Sequence, residues 1–204
     1  MKKITSIFLV AILYGCGSSG SPVDQGLIDQ VMHIGNGSEP QGLDPHVVTG
    51  VPEHHLLITM CEGLTISNPE GGANLPGMAE SWEISEDGKT YIFNIRKDAK
   101  WSNGDDFVAD DMVWSWMRVL TPSLGSQYPD MLYYVEGAED FNTGVISDFS
   151  EVGVKAIDDK TLEVKLNNPT PFFLGLLSHY STWPVHKETV LEFGEIDDRQ
   201  GLWL

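Results

Sequence analysis

The sequence of 204 residues predicts a mixed α/β fold, because two hairpin patterns alternate with segments of helical period. In the first hairpin pattern, Trp82 and Ile84 alternate with polar residues, and Tyr91, Phe93 and Ile95 occupy alternate positions after a turn that contains Gly88. The second pattern repeats this alternation in residues 152–156 and 162–166. We expect both hairpins to lie in one sheet with flanking helices.

A helix is predicted directly after the first hairpin. Apolar side chains recur at helical spacing from residue 112 to residue 120, which indicates one face turned toward a core. Asp110 and Asp111 stand in the first turn and Arg118 near the last, as the helix dipole favours. Pro122 cannot continue a helix, so the helix is expected to end just before it.

Shorter segments complete the expected order of elements. Residues 31–36 have the composition of a short first strand, and residues 53–64 follow as a helix with Gly63 near its end. Residues 67–78 are rich in Gly, Pro and Asn, which indicates a loop. Further helical patterns occur at residues 131–135, 138–141, 172–177 and 187–193.

The chain is strongly acidic, with 30 Asp and Glu against 12 Lys and Arg and a formal net charge of −18. Such a surface repels the phosphates of nucleic acids and the headgroups of anionic membranes, so neither is an expected partner. Solubility alone explains the charge, although it also leaves room for cationic ligands. Hydrophobic residues make up 41% of the chain, which is ordinary for a globular protein.

The N-terminus has the pattern of an export signal. Two lysines precede a mainly apolar run at residues 4–13, about half the ~20 residues of a membrane-spanning helix. The residues before Cys16 resemble a lipoprotein-processing box, so residues 1–15 are expected to be removed and Cys16 to be lipidated. Residues 16–27 are expected to form a flexible tether. Cys61 then lacks a disulfide partner, and its apolar neighbours favour a buried thiol.

Three ordered blocks of motifs run through the chain. The first is Gly37-Ser38-Glu39-Pro40-x-x-Leu43-Asp44-Pro45-His46. The second comprises Ala79-Glu80-Ser81-Trp82, Asp87-Gly88, Tyr91-x-Phe93-x-x-Arg96, Ala99-Lys100-Trp101-Ser102-Asn103-Gly104 and Trp114-Ser115-Trp116-x-Arg118. The third is Gly153-Val154-Lys155-Ala156-x-Asp158-Asp159 followed by Thr161-Leu162-Glu163-Val164. In these blocks the chain resembles the bacterial extracellular solute-binding proteins, family 5, of the oligopeptide-binding type, the peptide-capturing receptors of ABC importers.

The resemblance implies a fold of the type II periplasmic-binding-protein class, in which two lobes close on a ligand. It implies that residues 28–62 start the first lobe, that residues 63–186 form an inserted α/β subdomain, and that residues 187–204 return to the first lobe. Family members are more than twice as long as this chain. The second lobe is therefore expected to be absent, and this chain is expected to be an N-terminal fragment with little binding of its own.

Candidate binding residues come from the residue pattern and from the resemblance together. Pro52 favours an extended backbone at Thr49-Gly50-Val51, and such an exposed edge can pair with the main chain of a ligand. The resemblance implies that this segment, Tyr128 and His179 contact the peptide, with the two rings beside its side chains. A receptor for varied peptides must bind their shared backbone, so this edge is the expected site of capture.

Two other functions remain open from the sequence. The alternatives are a receptor of the same family for another small solute, such as a nickel complex, and a secreted acidic interaction module. No metal site is expected, because His54 and His55 are adjacent and no Cys or carboxylate pattern completes one. The sequence has none of the common nucleophile, zinc or phosphate-loop motifs, so neither an enzyme nor a cofactor is expected. The expected partners are an oligopeptide and membrane permease subunits, for a monomeric, lipid-anchored protein of the cell envelope.

Overall fold

The computed structural model describes residues 21–199, in two compact units that divide after Gly37. The expected signal peptide, the lipidation site Cys16 and the first residues of the tether lie outside the described residues. Among the described residues, no helix combines the length and the apolar character that crossing a membrane requires.

The N-terminal unit contains helix α1, Pro22–Asp29, so the expected flexible tether is helical from residue 22 onward. Ser21 and Asp24 form a capping box: the Ser21 hydroxyl accepts from the Asp24 N–H at 3.2 Å, and the Asp24 carboxylate accepts from the Ser21 N–H at 3.0 Å. The strand predicted at residues 31–36 is absent. A strand needs a partner ladder, and no described segment pairs with these residues.

The second unit begins with helix α2, Val51–Met60, which starts and ends earlier than the predicted helix. Strand β1, Thr65–Ile66, then pairs with strand β2, Leu75–Pro76, inside the segment predicted as a loop. Cys61 is exposed, so the prediction of a buried thiol is wrong. The helix ends at Met60 and the backbone turns extended at Cys61, which takes this side chain out of the helical pattern.

Four antiparallel strands form the main sheet, which confirms both predicted hairpins and their common sheet. In spatial order they are β3 (Ala79–Ile84), β4 (Thr90–Ile95), β6 (Thr161–Lys165) and β5 (Val154–Asp158). Tyr91 lies opposite Val164 and Phe93 opposite Leu162, and all four side chains are buried. Gly88 in the first turn has φ of +69°, the left-handed conformation that glycine adopts without strain.

Helix α3, Ala109–Leu120, packs against strands β5 and β6 and confirms the aromatic-rich helix predicted from the sequence. Met112, Trp116 and Val119 are fully buried in the same core cluster as the sheet residues. The other side of the helix buries Trp114 against Val185 and Val190. Because the helix is buried on two sides, it lies at the centre of the unit rather than on its surface.

Short helices connect these elements. They are α4 (Ala138–Asn142), α5 (Phe173–Leu176) and α6 (Lys187–Phe193), with 3₁₀ turns at Pro122–Leu124, Pro129–Leu132, Phe149–Glu151 and Tyr180–Thr182. The helices predicted at residues 138–141, 172–177 and 187–193 are confirmed to within a few residues. The segment predicted as helical at residues 131–135 overlaps a 3₁₀ turn instead.

One fully buried guanidinium links helix α3 to two distant segments. Arg118 forms a bidentate ion pair with Asp44, with nitrogen–oxygen distances of 3.0 and 2.6 Å. It also donates to His46 Nδ1 at 3.0 Å, to the Ile196 carbonyl at 3.0 Å and to the Asp198 carbonyl at 2.9 Å. All five N–H donors of the guanidinium are thereby used, which offsets the cost of burying the charge.

Replacing Arg118 should therefore destabilise the whole unit. In the Arg118→Met variant, Asp44 keeps its burial but loses its cation, so the free energy of unfolding should fall by about 3–5 kcal/mol. The matched control is Lys100→Met, which removes an ion pair with Asp106 at the surface, where both side chains are more than half exposed. Urea unfolding followed by circular dichroism measures both. Equal midpoints for the two variants would contradict a structural role for the buried pair.

Candidate functional site

The segment Thr49-Gly50-Val51 lies at the surface, at the start of helix α2. Thr49 is exposed and the Val51 side chain is 67% exposed. Gly50 is extended, with φ of −87° and ψ of 158°, but Val51 is already the first residue of the helix. The expectation of an extended segment through Val51 is therefore corrected: the extended backbone ends at Gly50.

Hydrogen bonding gives this edge a clear polarity. The Tyr180 hydroxyl donates to the Val48 carbonyl at 3.2 Å, the Tyr128 hydroxyl to the Thr49 carbonyl at 3.4 Å, and the His54 N–H to the Gly50 carbonyl at 3.1 Å. Within residues 21–199, no group accepts from the N–H of Thr49, Gly50 or Val51. The carbonyls are occupied while the donors are free, so the edge is suited to a ligand that offers carbonyl oxygens.

The structure brings together all five residues that the sequence singled out for peptide contact. Tyr128 bonds to Thr49, and its ring packs edge-on against His179 with centroids 5.2 Å apart. These contacts join segments far apart in the chain. The two rings therefore lie beside the Thr49-Gly50-Val51 edge, although nothing in the sequence pattern by itself required it.

Tyr180 belongs to the same cluster and was missed by the sequence reasoning. Its ring stacks on His179 with centroids 4.3 Å apart, and it packs with Leu57 and Trp183 in a small buried cluster. Burial raises the pKa of Tyr180 to about 12, and the neighbouring Tyr128 hydroxyl and Glu53 carboxylate add to the effect. The hydroxyl therefore stays protonated and keeps donating to the Val48 carbonyl. No sequence motif marked this residue beyond its position after His179.

His179 is held as a neutral imidazole. Its Nδ1 lies 2.8 Å from the Ser181 hydroxyl and accepts from the Ser181 N–H at 3.3 Å. Burial lowers the pKa of His179, and the nearby His54 lowers this pKa further. A neutral ring adds no positive charge to the edge, so it offers an aromatic surface rather than a counter-ion.

A cavity of about 470 Å³ opens beside the same edge, and Thr49 forms part of its wall. The other lining residues include Gln41, Val48, Glu53, Gln127 and Arg199. The sequence reasoning did not identify Glu53, which is the third residue of α2 and almost fully buried. A Cβ placed on Gly50 would lie 1.8 Å from Glu53 Oε2. Any larger residue at position 50 would force the Glu53 carboxylate to move out of its present position.

His46 anchors this part of the unit to the buried guanidinium. Since Arg118 has no acceptor, His46 Nδ1 must accept its N–H, and the ring proton then resides on Nε2, which donates to the Trp183 carbonyl at 2.9 Å. Desolvation lowers the pKa of His46 to about 4, and Arg118 adds to this effect while Asp44 opposes it. The ring is therefore neutral and fixes the segment that carries Trp183.

A mixed α/β unit with this sheet and this surface edge has the fold of part of a periplasmic binding protein. A crystal structure of Haemophilus influenzae OppA in complex with the peptide RPPGFSPFR matches it with a TM-score of 0.73 and 42% identity, covering 78% of this chain and 31% of that chain. The identity of 42% lies well above the level at which two proteins share only a general fold.

Sequence comparison gives the family. The model of the bacterial extracellular solute-binding proteins, family 5 Middle, matches residues 75–201. The periplasmic oligopeptide-binding protein OppA of Escherichia coli (strain K12) is 42% identical over 192 residues, covering 92% of this chain and 35% of the relative. The oligopeptide-binding protein OppA of Bacillus subtilis (strain 168) is 38% identical over 198 residues, covering 92% of this chain and 36% of the relative. The chain belongs to the bacterial extracellular solute-binding proteins, family 5, and spans about a third of these relatives' length.

Stability should depend on pH through His46. Between pH ~6.5 and pH ~4 the unfolded chain binds a proton at this position and the folded chain does not, so the free energy of unfolding falls as the pH is lowered. For a pKa difference of this size the loss is about 3 kcal/mol. His46→Gln has a polar side chain that does not titrate, so this part of the slope should disappear.

The measurement is urea unfolding at a series of pH values from 7 to 4.5, repeated for each variant. His55→Gln, at an exposed position of α2, is the matched control and should keep the slope of the unmodified chain. If His46→Gln and His55→Gln have the same pH dependence, the buried imidazole is not the source of it.

Proposed function

We propose that this chain forms part of the substrate-binding component of an ABC importer for oligopeptides. Membership of family 5 and similarity to oligopeptide-binding proteins support a solute-binding role. The protein captures its ligand outside the cytoplasm and delivers it to permease subunits. We keep the expected lipid anchor at Cys16, the monomeric state and the lobe division at residues 62–63 and 186–187 as parts of the same proposal.

The single observation that carries the proposal is the row of free N–H groups at Thr49, Gly50 and Val51. Peptides of different sequence share only their backbone and termini, so a receptor for many peptides must bond to main-chain groups. An exposed edge with free donors and occupied acceptors binds peptide carbonyl oxygens. Selectivity for one side chain is not needed for such a contact.

Tyr128 and His179 serve as the flanks of the captured peptide. The Tyr128 hydroxyl is engaged with Thr49, so its role is to hold the edge while its ring offers an apolar face. The neutral His179 ring stands against it. Aromatic walls of this kind tolerate varied side chains because they supply contact area without a fixed hydrogen-bonding pattern.

Peptide affinity should depend on the N–H groups of the edge rather than on its side chains. Val51→Pro removes one donor at the first position of α2, where proline is well tolerated and the preceding Gly50 is already extended. Val51→Ala removes the exposed side chain and keeps the donor. One lost hydrogen bond is worth about 1 kcal/mol, so Val51→Pro should bind tri-alanine about fivefold more weakly than Val51→Ala.

Titration of the ¹⁵N-labelled chain with tri-alanine, followed by NMR, measures these affinities. The N–H signals of residues 49–51 should move downfield, and the dissociation constant should be weaker than about 1 µM, since only about a third of the relatives' length is present. Equal binding by the two variants would contradict capture through the backbone. Submicromolar binding by calorimetry would instead contradict the expectation that this chain binds little on its own.

A further inference from the structure

Glu53 is a buried carboxylate whose hydrogen bonding is incomplete. Glu53 is only 3% exposed. Oε1 accepts from the Gln41 N–H at 2.6 Å, but among residues 21–199 no group donates to Oε2. An unmatched buried carboxylate oxygen is costly, because the group has lost its water without gaining a partner. The start of helix α2 offsets part of this cost through its dipole but supplies no hydrogen bond to Oε2.

This carboxylate lies in the wall of the 470 Å³ cavity rather than in the packed core. The other charged groups of the wall are already engaged. Asp44 pairs with Arg118, and Arg199 Nη1 donates to the Leu124 and Gly125 carbonyls at 2.8 and 3.2 Å. Of the two acidic residues in the wall, Asp44 and Glu53, only Glu53 therefore lacks a cationic partner among its described neighbours.

We infer that this cavity receives a cationic group, an ammonium or a guanidinium, from the bound peptide. A cation donates several hydrogen bonds and neutralises the carboxylate, which a neutral hydroxyl does only in part. The formal net charge of −18 also draws cations toward the chain. This inference rests on the proposed function in taking the ligand to be a peptide, and it names the preference of that site.

The position of the cavity connects it to the edge of free N–H groups. Thr49 is exposed at the edge and also forms part of the cavity wall. A peptide bonded to the edge therefore has one side chain or its N-terminus next to the cavity mouth. In this arrangement a lysine or arginine side chain of the peptide approaches the Glu53 wall while the backbone stays on the edge.

A small probe tests the cavity without a peptide. Butylammonium and its neutral counterpart butanol are titrated separately onto the ¹⁵N-labelled chain, and the Gln41 N–H signal reports on the carboxylate to which it donates. Butylammonium should shift this signal saturably, and butanol should not. Equal shifts with both probes, or no saturable shift with butylammonium, would overturn the inference.

Two charge-matched variants locate the effect. Glu53→Gln keeps an acceptor for the Gln41 N–H and removes the charge, so butylammonium affinity should fall at least fivefold. Glu70→Gln removes the same charge from an exposed loop position and should leave the affinity unchanged. An equal loss of butylammonium affinity in both variants would mean that only the overall negative charge of the chain attracts the probe, and it would overturn the assignment to Glu53. If Glu53→Gln does not fold, the comparison of butylammonium with butanol on the unmodified chain still tests whether the cavity binds a cation.

Tripeptides separate this inference from the proposed function. Ala-Lys-Ala should bind the unmodified chain at least fivefold more tightly than Ala-Met-Ala, and Glu53→Gln should abolish the difference. If both peptides bind equally well, the cavity inference fails and the peptide-binding function stands. If neither binds while butylammonium still shifts the Gln41 signal, peptide capture at the Thr49-Gly50-Val51 edge of this chain fails and the cation site stands.

Discussion

The buried guanidinium of Arg118 is the interaction on which the rest of the second unit depends. It lies on the central helix and holds Asp44, His46 and the backbone at residues 196–198 at the same point. A buried charge tolerates little change in geometry, because each lost partner leaves an uncompensated group. This single residue therefore fixes where the segment after His46 leaves the core, and that segment becomes the exposed edge.

The edge in turn owes its chemical character to the aromatic cluster behind it. Through His46 the guanidinium also fixes the Trp183 carbonyl, and Trp183 packs with Tyr180 and Leu57. The hydroxyls of Tyr180 and Tyr128 donate to the carbonyls of Val48 and Thr49, and the contacts of both rings with His179 keep them in place. Occupied acceptors and free donors are what make the surface complementary to peptide carbonyls. The contacts that stabilise the unit around Arg118 therefore continue directly into those that shape the Thr49-Gly50-Val51 edge.

Glu53 and Gly50 also combine a packing contact with a feature of the proposed binding surface. The carboxylate approaches the glycine so closely that a Cβ there would overlap with Oε2. The absence of a side chain at Gly50 leaves the space that the buried Glu53 carboxylate occupies. Buried polar groups without full pairing are rare in natural proteins, and those that persist are often part of a site.

The sequence by itself determined the two hairpins, the central helix and their common sheet, because alternation and helical period are local properties that burial on one face imposes. The residue pattern also indicated the Thr49-Gly50-Val51 segment, whereas Tyr128 and His179 came from the resemblance. The helix at residues 22–29 was missed although its Ser21 and Asp24 cap is visible in the sequence, and the strand at 31–36 was wrong because pairing needs a second segment. Only the tertiary structure decided the contacts of Arg118, Tyr180 and Glu53, since their partners lie up to 132 positions away and no local pattern encodes such distances.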